Sequence, residues 1–235
     1  MGLMRIERFD CYQQMSERAA DIILEELDHK KDLHLCAATG NSPTGTYHAL
    51  VEKFNKTPSL FNKLELLKLD EWAGIPLNHE NSCEHYLKKH LILPLKISKE
   101  RYEGFNSITE NPAFECQRIL NIINLKPIDV CVLGLGKNGH IGFNEPSTFL
   151  TPNCHVAKLS EESKKHDMMN SLDEKPPYGL TLGIKDILLA KRIVLLISGT
   201  GKSTAISMLM LEKIMSQYPV TFLWLHNNVD CLIVE

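Results

Sequence analysis

The chain has 235 residues, 43% of them hydrophobic and 23% charged, with a net charge of −3. This suits one soluble α/β domain with a sizeable core, and the absence of a basic footprint disfavours nucleic acid as a partner. The N-terminus is charged early and no apolar run is long enough for a signal peptide or a membrane span. The seven cysteines show no CxxC and no zinc spacing, which predicts reduced thiols and a cytoplasmic enzyme.

Apolar residues at Met15, Ala19, Ile23 and Leu27 predict a helix over 13–29. Residues 33–38 read as a strand feeding the hydroxyl-rich loop Thr39-Gly40-Asn41-Ser42-Pro43-Thr44. Ser42 before Pro43 predicts an N-cap and first helical position, with the helix running to about Phe54. A strand, a small polar loop and a helix N-terminus together make a ready anion site.

Residues 65–69 read as the next strand, ending at Asp70-Glu71-Trp72. A carboxylate at the carboxyl end of a strand is well placed to transfer a proton. Ser82 predicts the cap of a helix reaching about residue 91. An extended piece at 102–105 and an Asn111-capped helix over 112–123 carry no evident chemistry.

The apolar, β-branched run 128–135 reads as a buried strand. Gly134, Gly136 and Gly139 follow it in GxGxxG spacing. A dinucleotide fingerprint would need the third glycine to open a long helix, yet Gly142 and Pro146 both oppose one. No acidic ribose-binding residue is evident after a second strand either. What fits is a polar loop at a strand end, where open α/β sheets bind ligands. His140 in that loop can move a proton near neutral pH, and Glu145 is close enough to orient or charge it.

Residues 154–159 read as a strand and 160–170 as a short helix with Lys164, Lys165 and His166. A strand over 178–183 leads into a helical turn over 184–190. Another buried strand, 193–197, meets Ser198-Gly199-Thr200-Gly201-Lys202-Ser203-Thr204. A Walker A motif needs a glycine five residues before Gly201, where Leu196 stands, so a nucleotide P-loop is rejected. Lys202 reads either as a surface lysine at a helix start or as a phosphate contact, and the mild penalty from the helix dipole supports the ligand role. A helix over 203–216, a last core strand over 220–225 and a short strand over 231–234 complete the chain. Strands alternating with helices predict a doubly wound, mainly parallel, Rossmann-like α/β sheet with helices on both faces.

The segment Gly-Lys-Asn-Gly-His-Ile-Gly-Phe-Asn-Glu-Pro at 136–146 resembles the signature of the glucosamine-6-phosphate deaminase family of aldose–ketose isomerases. Asn138 stands where most of that family has Asp. The Asn-Gly-His version, with Phe-Leu-Trp-Leu-His at 222–226, resembles the galactosamine-6-phosphate deaminase/isomerase branch. The related 6-phosphogluconolactonases follow their Gly-His pair with a Thr-Ala-Ser-Leu-Phe-Pro type of sequence instead. The resemblance spans nearly the whole chain. It implies a phosphate loop with Thr39, Gly40, Asn41, Ser42 and Thr44, and a phosphate lysine at Lys202. A basic residue of 158–166 would assist, and Glu71 and Gly136 would join the substrate-binding set. Asp70 matches the Asp that removes the sugar's C2 proton, with His140, Glu145 and Asn138 completing the catalytic group.

The implied partner is a small-molecule hexosamine phosphate, with no metal or organic cofactor required. Galactosamine 6-phosphate would give tagatose 6-phosphate and ammonia. The alternatives are a glucosamine-6-phosphate deaminase yielding fructose 6-phosphate, a 6-phosphogluconolactonase, and a non-catalytic sugar-phosphate-binding protein. Assembly into a homo-oligomer stays open.

Overall fold

The computed structural model describes residues 4–165, 172 and 175–234. Among them are ten strands: β1 (Arg5–Arg8), β2 (His34–Ala37), β3 (Glu65–Lys68), β4 (Asp70–Trp72), β5 (Tyr102–Glu103), β6 (Val130–Gly134), β7 (His155–Ala157), β8 (Gly179–Thr181), β9 (Arg192–Ile197) and β10 (Val229–Ile233). Six α-helices accompany them: α1 (Tyr12–His29), α2 (Asn41–Lys56), α3 (Cys83–Leu87), α4 (Pro112–Leu125), α5 (Ile184–Leu188) and α6 (Ser203–Leu209).

Seven strands form one sheet in the order β1-β10-β9-β6-β2-β3-β5, and every pairing within it is parallel. Its inner strands are apolar on both faces, as a sheet covered by helices on both sides requires. Along β6, Val130 and Val132 face the layer of α1 and α2, with Tyr47 and Leu50. Cys131 and Leu133 face the opposite layer, with Ile119 of α4 and Leu209 of α6. Each fully buried aliphatic side chain contributes about 1.5–3 kcal/mol.

Strand order reverses between β2 and β6. The chain goes from β2 to β3 and β5 on one side, then returns to β6, β9 and β10 on the other. That reversal opens a crevice between the loops after β2 and β6, the place where such sheets take ligands.

β3 does not simply end at Lys68. Leu69 donates its N–H to Ala37 and accepts from Leu182, at 3.2 and 3.1 Å. The chain then turns into a second, antiparallel sheet ordered β4-β8-β7, with Asp70 opposite Thr181. Asp70 therefore stands where the chain passes from one sheet to the other.

Several expectations are corrected. Ser42 is not the cap of α2; Gly40, with φ of 108°, takes that place and Ser42 lies inside the first turn. The run 220–225 is not a strand but part of a 3₁₀ helix, Pro219–Leu225. Pro219, Val220, Thr221 and Leu223 are its buried positions, and Pro219 opens it, as suits a first helical turn. The last core strand is β10 instead, inside the sheet between β1 and β9. The helix expected over 203–216 stops at Leu209, and Glu212 soon after has φ of 56°, outside the helical region. Of the helix expected over 160–170, a 3₁₀ turn at Ser163–Lys165 is present and 166–170 lie outside the described residues. No helix among the described residues is long and apolar enough to cross a membrane.

Candidate active site

A cavity of about 420 Å³ opens over the crevice between β2 and β6. Four strand ends supply its walls: the loops after β2, β6 and β9, and Asp70 beyond β3.

From β2 come Thr39, Gly40, Asn41 and Ser42. The Ser42 hydroxyl is 2.9 Å from that of Ser198, and Lys202 Nζ reaches it at 3.5 Å. Burial, with the repulsion of Lys137, pushes the Lys202 ammonium down to about 8. Hydroxyls, the N-terminal N–H groups of the 16-residue α2 and a half-buried lysine converge here, the makings of an anion site. Thr44 does not line this cavity: its hydroxyl bonds the Gly40 carbonyl at 2.9 Å and Tyr86 Oη at 2.7 Å. It shapes the loop from behind.

Asp70 is 7% exposed and lines the cavity floor. A Cβ on Gly142 would lie 3.6 Å from its Oδ2, so the carboxylate and the loop after β6 stand face to face. Burial and then the charge of Glu71 push Asp70 up to about 7, against the pull of His140 and Lys68. A buried carboxylate tuned near neutrality is suited to taking and returning a proton. Cys83, unremarked in the sequence, reaches Asp70 Oδ1 at 3.9 Å through its thiol.

Glu71 is placed away from the cavity. It is fully buried, bonds Lys68 Nζ at 2.7 Å and accepts the N–H groups of Cys83 and Glu84, each at 2.9 Å. It thereby holds the start of α3 beneath Asp70. Lys68, also fully buried, bonds Glu84 at 2.9 Å as well, a compact ionic network under the cavity floor.

The loop after β6 is a tight coil closed by Gly136 N–H to the His140 carbonyl and Gly139 N–H to the Gly136 carbonyl, both 3.0 Å. Gly139 and Gly142 have φ of 89° and 55°, which glycine adopts without strain. Gly136 has a different duty: a Cβ there would collide with the imidazole of His140. His140 Nδ1 stands 3.4 Å from Glu145 Oε2. Asn138 donates to the same oxygen at 3.0 Å, and Ser163 donates to Oε1 in a short hydrogen bond. Burial works to raise the Glu145 carboxyl, but these partners, His140 foremost, hold it at about 2. Glu145 is thus an anion at any working pH, set behind the ring of a cavity-lining histidine. Asn138 and Glu145 back that ring without lining the cavity themselves.

Ser163 is a residue the sequence reading missed. It sits in a segment without a motif and meets Glu145 only through the fold. Lys164 bonds Glu161 at 2.8 Å, an exposed pair, and the cavity lining does not include it. Among the described residues no group of three His, Cys, Asp or Glu is arranged to hold a metal ion.

Comparison with known proteins follows the same lines. The family described as glucosamine-6-phosphate isomerases/6-phosphogluconolactonase matches residues 7–232. The Escherichia coli (strain K12) protein named "Putative deaminase AgaI" is 39% identical over 229 residues, covering 97% of this chain and 91% of that protein. Glucosamine-6-phosphate deaminase of Shouchella clausii (strain KSM-K16) is 34% identical over 235 residues, 99% of this chain and 95% of its own. Among solved structures, a monomeric glucosamine-6-phosphate deaminase of the NagB superfamily superposes with a TM-score of 0.93 at 34% identity, covering 99% and 98% of the two chains. A 6-phosphogluconolactonase from Thermotoga maritima shares the fold, with a TM-score of 0.77, 17% identity and coverage of 99% and 100%.

Proposed function

This chain belongs to the glucosamine-6-phosphate isomerase/6-phosphogluconolactonase family, and within it we propose that it is an amino-sugar-phosphate deaminase acting on galactosamine 6-phosphate. The observation that carries the deaminase reading is Asp70, a buried carboxylate held near neutrality in the same cavity as His140, which Glu145 backs, and the Lys202–Ser42 anion site.

The phosphate sits against Ser42, the first turn of α2 and Lys202. His140, kept in register by Glu145, takes the anomeric hydroxyl's proton and passes a proton to the ring oxygen as the sugar opens. Asp70 takes the C2 proton while the aldehyde oxygen takes one from the substrate's ammonium, leaving a neutral enolamine. It then returns a proton to C1. Water adds to the resulting C2 ketimine and ammonium leaves, yielding the ketose 6-phosphate. These steps need proton transfer and a bound phosphate.

The galacto preference rests on Asn138, which supplies no second charge beside Glu145, and on the Phe-Leu-Trp-Leu-His segment at 222–226; both resemble the galactosamine-phosphate branch. A glucosamine 6-phosphate substrate is the second reading, favoured by the 34% identity to deaminases of that name. Ammonia release from the two sugars, assayed side by side, tests both. Faster turnover of the galacto sugar supports the proposal, and preference for the gluco sugar overturns its finer part. Silence on both, with hydrolysis of a sugar-phosphate lactone, removes the deaminase reading.

A further inference from the structure

Lys137 has no part in the proton chemistry assigned to Asp70 and His140, yet it lines the same cavity as Lys202. The two lysines come from the loops after β6 and β9, which are adjacent parallel strands, so the loops emerge side by side. The alkyl chain of Lys137 runs along Gly201: a Cβ built there would lie 3.4 Å from Lys137 Cδ and 3.5 Å from Cε. Its charge is felt at Lys202, whose ammonium is lowered by burial and then by Lys137.

Neither lysine is neutralised well. Among the described residues no carboxylate lies within ion-pair range of Lys202. Lys137 has a long contact with Glu162, 3.7 Å, between side chains 60% and 41% exposed. A pair so solvated holds its members weakly. Two ammonium groups brought toward one cavity repel each other, and a doubly charged anion between them reverses the sign of that interaction. A phosphate monoester, at nearly −2 near neutral pH, has that charge. One lysine would leave it half compensated beside Asp70, which must itself ionise.

Resting on the phosphosugar reading, we propose that Lys137 is a second ammonium ligand of the substrate's phosphate, gripping it together with Lys202, and that Glu162 competes with the phosphate for Lys137. The ligand class is a phosphate monoester dianion. The grip comes from the residue between Gly136 and Asn138, so the loop that carries His140 also takes hold of the far end of the sugar. Phosphate binding and placement of the imidazole are thereby joined in one short segment.

The test is calorimetric titration of the full chain with inorganic phosphate and with both hexosamine 6-phosphates. The variants are Lys137→Met, Lys137→Arg, Glu162→Gln and Lys202→Met. Lys137→Met should weaken inorganic phosphate about tenfold or more, by loss of a charge-assisted hydrogen bond. It should raise KM for the phosphosugar more than it lowers kcat, with Lys137→Arg restoring most of both. Glu162→Gln should tighten phosphate. Unchanged phosphate binding in Lys137→Met overturns the proposal. So does weakening in Glu162→Gln equal to that in Lys137→Met, which would make the pair a structural tie. If Lys202→Met weakens phosphate and Lys137→Met does not, only the Lys137 assignment falls. If the unmodified protein binds none of the three ligands, the phosphosugar reading falls with it.

Discussion

Asn138 Nδ2 donates to Glu145 Oε2 at 3.0 Å while its Oδ1 accepts the backbone N–H of His140 at 3.1 Å. The amide thus braces the carboxylate and the loop at once. It fills, without charge, the position where most relatives in the resembling family carry Asp.

Replacing it tests that arrangement. Asn138→Asp sets a second carboxylate against Glu145, and two such groups ionise in steps, the later one raised. The Glu145 carboxyl, at about 2 in the native protein, should then titrate at clearly higher pH by carbon-13 NMR. The stability it contributes, present above the unfolded value of 4.5 and lost as pH falls toward 2, should shrink. An unmoved carboxyl resonance would mean that Asn138 is not the close neighbour described.

Asp70 yields a prediction of opposite sign. Its carboxyl is raised from 3.8 to about 7, so the folded chain holds a proton that the unfolded chain releases, and stability falls as pH rises across that window. Asp70→Asn should therefore be nearly neutral for stability below pH 4 and increasingly stabilising to pH 7. Above that the gain is level, on the order of a few kcal/mol. The same variant should abolish exchange of the C2 proton with solvent while phosphosugar binding persists. For the unmodified protein, kcat/KM should climb with pH through an apparent value near 7. A stable, exchange-competent Asp70→Asn would remove Asp70 as the base.

Gly136→Ala should act on geometry alone. The added methyl displaces the His140 ring, and misplacing a reacting group by about 1 Å costs about 10²-fold in rate. Steady-state kinetics should show the loss mainly in kcat, with KM moved far less.

Lys68→Met should cost about 3–5 kcal/mol in urea unfolding, because it strands buried Glu71 without its counter-charge and leaves Glu84 only the half-exposed Lys88, at 3.3 Å. Adding Glu71→Gln and Glu84→Gln should recover part of that loss. The activity's acid limb should also move upward in Lys68→Met, since Lys68 helps hold Asp70 down.

Much of the fold was legible because the inner strands are short apolar runs that stop at glycines, acids or hydroxyls, and those stops mark carboxyl ends. The loops at 39–42 and 136–140, with Asp70 and Lys202, meet because a parallel sheet sends all its strand ends the same way. What escaped lacks a local signal. The three-residue strand β4 is too short to show a period of its own, so it read only as the end of β3. The 219–225 run is equally apolar as strand or 3₁₀ helix, and only packing decides. Glu71 reads beside Asp70 as a site residue, yet strand alternation points it the other way, into the Lys68 network. Ser163 and Cys83 touch the central residues from segments whose own sequence carries no chemistry.

The parallel pairing of β1 with β10 has a consequence for how the chain is made. On the ribosome, Arg5 waits for Asp230, its hydrogen-bond partner 225 positions later. Until then β1, which pairs within the sheet with β10 alone, has no strand to join. The loop bearing His140 waits almost as long, for the Gly139 carbonyl receives the Val220 N–H at 3.0 Å from the late 3₁₀ helix. A nascent chain stalled before that helix emerges would carry His140 on a loop that still lacks this hydrogen bond.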